Sequence, residues 1–270
     1  MTRMIRLSAR SAFTIAIASI FGLITLAWPL LVNRADGQLV QPPWVFMLLL
    51  PIVVLVVVAE LSEDGLDARA LAILGVLSAV DAILRGLSAG TAGVEFVFFL
   101  IILGGRVYGP AFGFVLGCTS LFASALLTAG VGPWLPYQML CSAWIGLGAG
   151  LLPRRITGRV EIAVLAAYGV VVSFLYGLLL NLQGWPMLAG VSVPGHHEPL
   201  AFDPSASFAT NVVTFLRYTL VTSTTSYDLM RALTTAVAIV VLGGAVMTTL
   251  RRAARRATVT GEIRDAAPAR

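Results

Sequence analysis

Eight apolar stretches dominate this chain, at residues 11–32, 43–60, 68–88, 94–106, 109–129, 134–152, 160–181 and 229–250. About 20 apolar residues in a row cross the ~30 Å hydrocarbon core of a bilayer as a helix. The apolar residues come in unbroken runs, not in the short alternating segments of a membrane barrel. Inside lipid, each backbone N–H and C=O must be satisfied within its own segment, so such runs become helices. Composition agrees, with 11% charged residues against roughly a quarter in a soluble domain. The expected fold class is all-α: a polytopic integral membrane helix bundle of about eight crossings. Stretch 94–106 is short for a full crossing. It is expected to be tilted, partly re-entrant or continuous with the stretch after it.

The net charge of +5 comes with no lysine, and the arginines gather at the ends of the apolar stretches. That placement is a topology signal, not a nucleic-acid footprint. With all eight stretches crossing and the N-terminus in the cytoplasm, fourteen arginines fall inside. Four fall outside: Arg34, Arg85, Arg217 and Arg231. The expected location is the plasma membrane, multi-pass, with both termini cytoplasmic. The first stretch is too long for a signal-peptide core and is read as a retained helix. Cys118 and Cys141 lie inside apolar spans and read as small buried hydrophobes.

The chain divides into an N-terminal transmembrane hairpin extension (1–60), an acidic cytoplasmic linker (61–67), a six-helix membrane core (68–250) and a basic cytoplasmic tail (251–270). The last ~20 residues are polar and are expected to be disordered. The long external loop 182–228 carries His196, His197 and Glu198. Its second half spaces Phe208, Val212, Phe215 and Leu216 like an interfacial helix, expected over the outer mouth of the bundle.

The stretch 68–85 places Ala68, Ala72, Gly75, Ala79 and Ala82 at steps of three or four. Small side chains on one helix face let another backbone approach closely in lipid. The stripe predicts a tightly packed partner helix, inside the bundle or on another protein. Gly109, Gly113 and Gly117 repeat the pattern, as do Ser142, Gly146 and Gly150. For these, packing within the bundle is the better reading.

Charged groups near membrane depth are costly and usually face a cavity or partner. Asp81 and Arg85 share a helix face near the outer end of their span, and Glu95 starts the next helix on that side. Trp134, Tyr137, Gln138, Asn181, Gln183, Trp185, Tyr227 and Arg231 also fall at outer helix ends. Together these residues form the candidate substrate-binding vestibule. A structural ion pair and an aromatic belt are the bland alternatives. Neither a catalytic set nor a metal-ligand spacing is present, so no enzyme, metal or cofactor is expected. A P-loop needs a lysine and this chain has none. Any ATPase must come from another protein.

Three features carry a family resemblance. They are the small-residue stripe of 68–82, the run Ile101-Ile-Leu-Gly-Gly-Arg-Val-Tyr-Gly-Pro-Ala-Phe-Gly-Phe-Val-Leu-Gly117, and Gly130-Val-Gly-Pro-Trp-Leu-Pro-Tyr-Gln138 with the Gly-rich helix after it. On these, residues 68–250 resemble the substrate-binding (S) component of energy-coupling factor (ECF) vitamin transporters. The resemblance implies capture of a vitamin or related micronutrient at the outer face. It also implies docking through the stripe of Ala68, Ala72, Gly75, Ala79 and Ala82 onto a transmembrane coupling subunit, with two ATPase subunits powering import. The texture is similar to that of S components associated with cobalamin-type substrates in high-GC bacteria. Arg85 and Arg231 could instead meet a carboxylate or phosphate of another vitamin. The hairpin 11–60 departs from the family and must leave the docking face accessible. The competing readings are a self-contained secondary transporter, which would favour repeats and midplane charges, and a membrane scaffold without a ligand.

Overall fold

The computed structural model describes residues 9–31, 52, 68–88, 93–188 and 200–265. Apart from Ile52, the second arm of the hairpin (43–60) lies outside the described residues, as do the linker 61–67 and the stretch His196–Glu198. Among the described residues every regular element is helical. In chain order these are α1 (Ala9–Leu26), α2 (Trp28–Leu31), α3 (Ala68–Ser88), α4 (Val97–Tyr108), α5 (Pro110–Leu127), α6 (Leu135–Leu151), α7 (Gly158–Gly184), α8 (Phe208–Thr219) and α9 (Leu229–Asp265). A short 3-10 turn, Trp185–Leu188, follows α7. A π-helical segment, Leu220–Asp228, joins α8 to α9. Among the described residues, four rods are long and apolar enough to cross a membrane: Ala68–Leu87, Pro110–Leu127, Gly158–Met187 and Phe208–Arg256.

Helix α4 resolves the short stretch. Its 12 residues reach only ~18 Å, well short of the ~30 Å core. Val97 through Gly105 and Tyr108 are all buried, so α4 is shielded from lipid by its neighbours. It is not continuous with the next helix. Gly109 takes φ 112°, ψ 172°, and Pro110 begins α5 at once. A residue with a β-carbon is strained at that φ, so glycine is required at this one-residue turn. The Tyr108 hydroxyl donates to the Leu250 carbonyl at 3.1 Å and ties the turn to α9.

The glycines of α5 and α6 pack on one another. A β-carbon on Gly113 would collide with the Gly146 carbonyl oxygen, and one on Gly117 with the Ser142 backbone. Gly150 meets Pro110 just as closely. The internal-packing reading of Gly109, Gly113, Gly117, Ser142, Gly146 and Gly150 holds.

The hydrogen-bonded contacts sort the helix ends into two groups. One end of the bundle gathers Arg85, Glu95, Ser124, Gln138 and Arg231. The other gathers Arg106, Glu161, Arg251 and the α6–α7 turn. Helix α1 packs against α6 and α7: Trp144 Nε1 donates to Ser19 Oγ at 2.7 Å, and Gly22 accommodates Leu140.

Two expectations are corrected. The tail is helical to Asp265, because its alanines and arginines are strong helix formers. The apolar stripe on 208–220 is split across the helix. Phe215 is buried, while Phe208 and Leu216 are exposed. The inner face of α8 is chosen by Trp185, whose ring packs against Phe202, Phe215 and Tyr218 with centroids at 5.3, 5.5 and 6.4 Å. Ser207 caps α8 by accepting the Thr210 N–H at 3.2 Å. In the preceding turn, hydrogen bonds from Ser205 hold the Asp203 carboxyl below its ordinary range.

Candidate functional site: a polar cluster at one end of the bundle

Helix α3 turns two chemically distinct faces to its surroundings. Ser78, Asp81 and Arg85 point into the bundle at steps of three and four. The Ser78 and Thr119 hydroxyls share a hydrogen bond of 2.7 Å. One turn on, the Asp81 carboxylate is fully enclosed beside Ser120. Neither carboxylate oxygen, nor the Ser120 hydroxyl, meets a partner at hydrogen-bonding geometry among the described residues. Arg85 donates to Ser124 Oγ at 3.1 Å and to Gln138 Oε1 at 3.2 Å, joining α3 to α5 and α6. This polar seam runs along the half of the α3–α5 contact nearer Arg85.

The opposite face of α3 is open. Ala68, Ala72, Gly75 and Ala79 are exposed, with Val76, Val80 and Ile83 around them. A β-carbon on Gly75 would meet nothing within 4 Å. Among the described residues no helix covers this stripe, and α1 lies elsewhere, on α6 and α7. Ala82 is the exception, being fully buried. At 3.6 residues per turn it sits about 40° from Ala68, toward the Arg85 face.

A second polar group lies at the same end. Arg231 is held by Glu95, and by Asp228 Oδ1 at 2.7 Å. Its guanidinium also stands over the rings of Tyr176, at 5.0 Å, and Phe98, at 5.9 Å. A cation over an aromatic face is attracted by the ring quadrupole. Asp228 is almost wholly buried, accepts from the Ser223 hydroxyl at 2.6 Å, and presses against Gly177. Tyr176 also packs edge-on against Phe98, with ring centroids 4.9 Å apart.

The expected vestibule residues therefore separate. Asp81, Arg85 and Gln138 form one group, and Glu95 and Arg231 the other. Trp134 and Tyr227 are half exposed. Gln183 is buried, and Asn181 keeps a buried Nδ2 with no partner among the described residues. Tyr137 is buried, with its hydroxyl toward Thr25 of α1. Trp185 is not in the polar cluster: it anchors the apolar seat of α8. Arg231 already has two carboxylates, so it is not presented singly to an anion. Sequence reasoning missed Asp228, Tyr176, Phe98 and Ser124. The Asp228–Arg231 spacing of three was a readable signal. Tyr176, inside a long apolar run, offered none.

The far end holds a charge cluster of another kind. Glu161, 2% exposed, accepts from Arg106 Nε and from Arg251, each at 2.7 Å. Arg106 also donates to the carbonyls of Leu152, Pro153 and Ile156 at 2.9, 3.2 and 2.8 Å. One guanidinium thus ties α4 to α7 and to the α6–α7 turn.

Residues 69–260 match the family model described as "ECF transporter, substrate-specific component". No curated protein and no solved structure matches the chain. The match covers well over half the sequence, spans both faces of α3 and both polar clusters, and agrees with an all-helical, membrane-sized bundle: the chain belongs to the substrate-specific components of ECF transporters.

Proposed function

We propose that this protein captures a vitamin or related micronutrient from outside the cell and hands it to an ATP-driven import complex. The single observation that carries the reading is the division of α3. One face brings Asp81 and Arg85 to the polar cluster. The other leaves Ala68, Ala72, Gly75 and Ala79 open. A ligand near Arg85 and a partner on the stripe would then act on opposite sides of one helix. The arginine bias puts the Arg85 end outside. The six-helix core of 68–250 is the binding unit.

Arg85, Gln138 and Asp81 in one group and Glu95 in the other, with Tyr227 and Trp134 half exposed, supply polar and aromatic groups of the kind that orient a small ligand. The small-residue face suits a transmembrane coupling subunit, since close helix approach in lipid gains van der Waals contact without side-chain ordering. Two separate ATPase subunits supply the energy. Membrane lipid surrounds the bundle, and no nucleic acid is involved.

The test is thermal stabilisation of the detergent-purified protein by a panel of vitamins and related compounds, cobalamin-type ligands included. Binding to the native state stabilises by RT ln(1 + [L]/Kd), ~2.7 kcal/mol at a hundredfold excess over Kd. A large shift with one compound at low concentration supports the reading and names the substrate. No shift across the panel removes the binding role and favours the scaffold alternative.

A further inference from the structure

The rod from Phe208 to Arg256 is helical without a break, yet nine of its residues, Leu220–Asp228, are wound as a π-helix. π winding is rare, is mostly confined to single turns, and concentrates at functional sites. The segment reads Leu-Val-Thr-Ser-Thr-Thr-Ser-Tyr-Asp, and its hydroxyls bond back to the helix backbone. Thr222 donates to the Tyr218 carbonyl at 2.8 Å, Thr225 to Leu220 at 3.4 Å, and Ser226 to Thr222 at 3.4 Å. Ser and Thr bonds of this kind compete with regular helix bonding and bend helices. One further bond uses the π spacing itself. Ser223 donates to Asp228, five residues on, at 2.6 Å. In an α-helix, residues five apart lie about 140° apart around the axis.

Both ends of the segment are tied down. At its C-terminal end, Asp228 binds Arg231, which binds Glu95. The seat is close: a β-carbon on Gly177 would collide with Asp228 Oδ1. One on Gly93, at φ 88°, would stand 2.6 Å from the Tyr227 carbonyl oxygen. At its N-terminal end the segment continues into α8, which Leu182, Trp185, Phe215 and Tyr218 hold by apolar contact. The present winding leaves the Thr219 hydroxyl, at the junction with α8, buried with no hydrogen-bond partner among the described residues. Returning the segment to α winding would displace its surplus residue, and α8 would turn by about 100° per residue passed along.

We propose that Leu220–Asp228 is a conformational switch, in which the Ser223–Asp228–Arg231–Glu95 chain sets the rotational register of α8. Intact, the chain keeps the π winding and the Trp185 seat. Disturbed, it releases the segment and α8 turns. The consequence for uptake rests on the function proposed above: a ligand entering the polar cluster would reposition α8 at the same end of the bundle.

The test uses the full chain in lipid nanodiscs, spin-labelled at Leu216→Cys on α8 and Val131→Cys on the α5–α6 turn, both positions exposed. The two native cysteines are buried. Distances are measured in this background and with Ser223→Ala, Asp228→Asn, Glu95→Gln or deletion of Thr224. Each of the three substitutions is expected to add or shift to a distance that differs by roughly 5 Å or more, the displacement a 100° turn gives at side-chain radius. Deleting Thr224 removes one residue from the segment. It is expected to give a single new distance that no longer responds to Asp228→Asn. Thr248→Ala, remote on α9, leaves the distribution unchanged. A wild-type distribution in all three substituted proteins overturns the switch. If the Asp228 variant does not fold, Glu95→Gln decides alone, since it cuts the chain from outside the rod. The readout needs no ligand, so it separates the two proposals. Movement of α8 with no ligand in the panel sustains the switch and sinks the binding role; a ligand found while α8 stays fixed does the reverse.

Discussion

Single side chains carry much of the cost and specificity of this bundle. Glu161 is the sharpest case, because one buried carboxylate serves both Arg106 and Arg251. Removing one member of a buried ion pair leaves an uncompensated charge and costs about 3–5 kcal/mol. Glu161→Gln is therefore expected to lower the unfolding midpoint in detergent clearly, while ligand affinity at the far end stays within about threefold, near the noise of RT-scale differences. An unchanged midpoint would show that the cluster is hydrated and weak. Arg85→Ala is expected to do the reverse. It loses bonds to Ser124 and Gln138 and should weaken ligand binding by tenfold or more, about 1.4 kcal/mol, with insertion intact. Unchanged affinity in a binding titration would make Arg85 a structural residue. The spacing of Asp81 and Arg85 was legible, since residues four apart share a helix face. Their partners on α5 and α6 were not, because nothing along one helix states which helix stands opposite.

Among elements, α3 and α4 show how rotation and length assign roles. Helix α4 is too short to span and survives at membrane depth because α5, α6 and α9 surround it. Its sequence, nearly all apolar, could not say whether its neighbours were lipid or protein. Helix α3 has a polar seam and a small-residue stripe on opposite sides, and both were readable from periodicity. Which faced inward was settled by the Ser78–Thr119 and Arg85–Ser124 bonds. Ala72→Leu and Ala79→Leu add bulk to an exposed face. They are expected to abolish co-purification with the coupling subunit and leave the ligand-induced thermal shift unchanged. Loss of the thermal shift with normal co-purification would contradict the docking assignment. Gly113→Leu, by contrast, drives a side chain into the Gly146 backbone. Overpacking of this kind costs about 1–3 kcal/mol or more, so poor yield of folded protein is expected.

For the molecule as a whole, the arginine bias predicts that the Arg85 end is outside and the Arg106 end inside. Val131→Cys and Arg155→Cys sit in turns at opposite ends of the bundle. A membrane-impermeant maleimide is expected to label Val131→Cys in intact cells and Arg155→Cys only after permeabilisation. The opposite pattern would invert the topology and remove the outward-facing site. Helix α1 also acts at this scale. By resting on α6 through Ser19 and Gly22 and against α7, it adds a helix to the bundle without covering the stripe of α3.

What the sequence by itself determined is what a one-dimensional string can hold: apolar run length, arginine placement, and the three-to-four spacing of small or charged residues. Those follow from bilayer thickness and helix pitch, which are the same for every chain. They were enough for the helical class, for the packing of the α5 and α6 glycines inside the bundle, and for the small-residue stripe and the Asp81–Arg85 pair of α3, but not for the helix that meets each of them. The tertiary structure decided everything that depends on how helices are rotated and stacked. It put Trp185 under α8 instead of in the polar cluster, gave Arg231 two carboxylates, and made Ala82 an inward residue. The reason is physical: lipid rewards any apolar face equally, so polarity alone cannot choose a helix's neighbours. That choice is made by close packing and by the few hydrogen bonds that must find partners away from water.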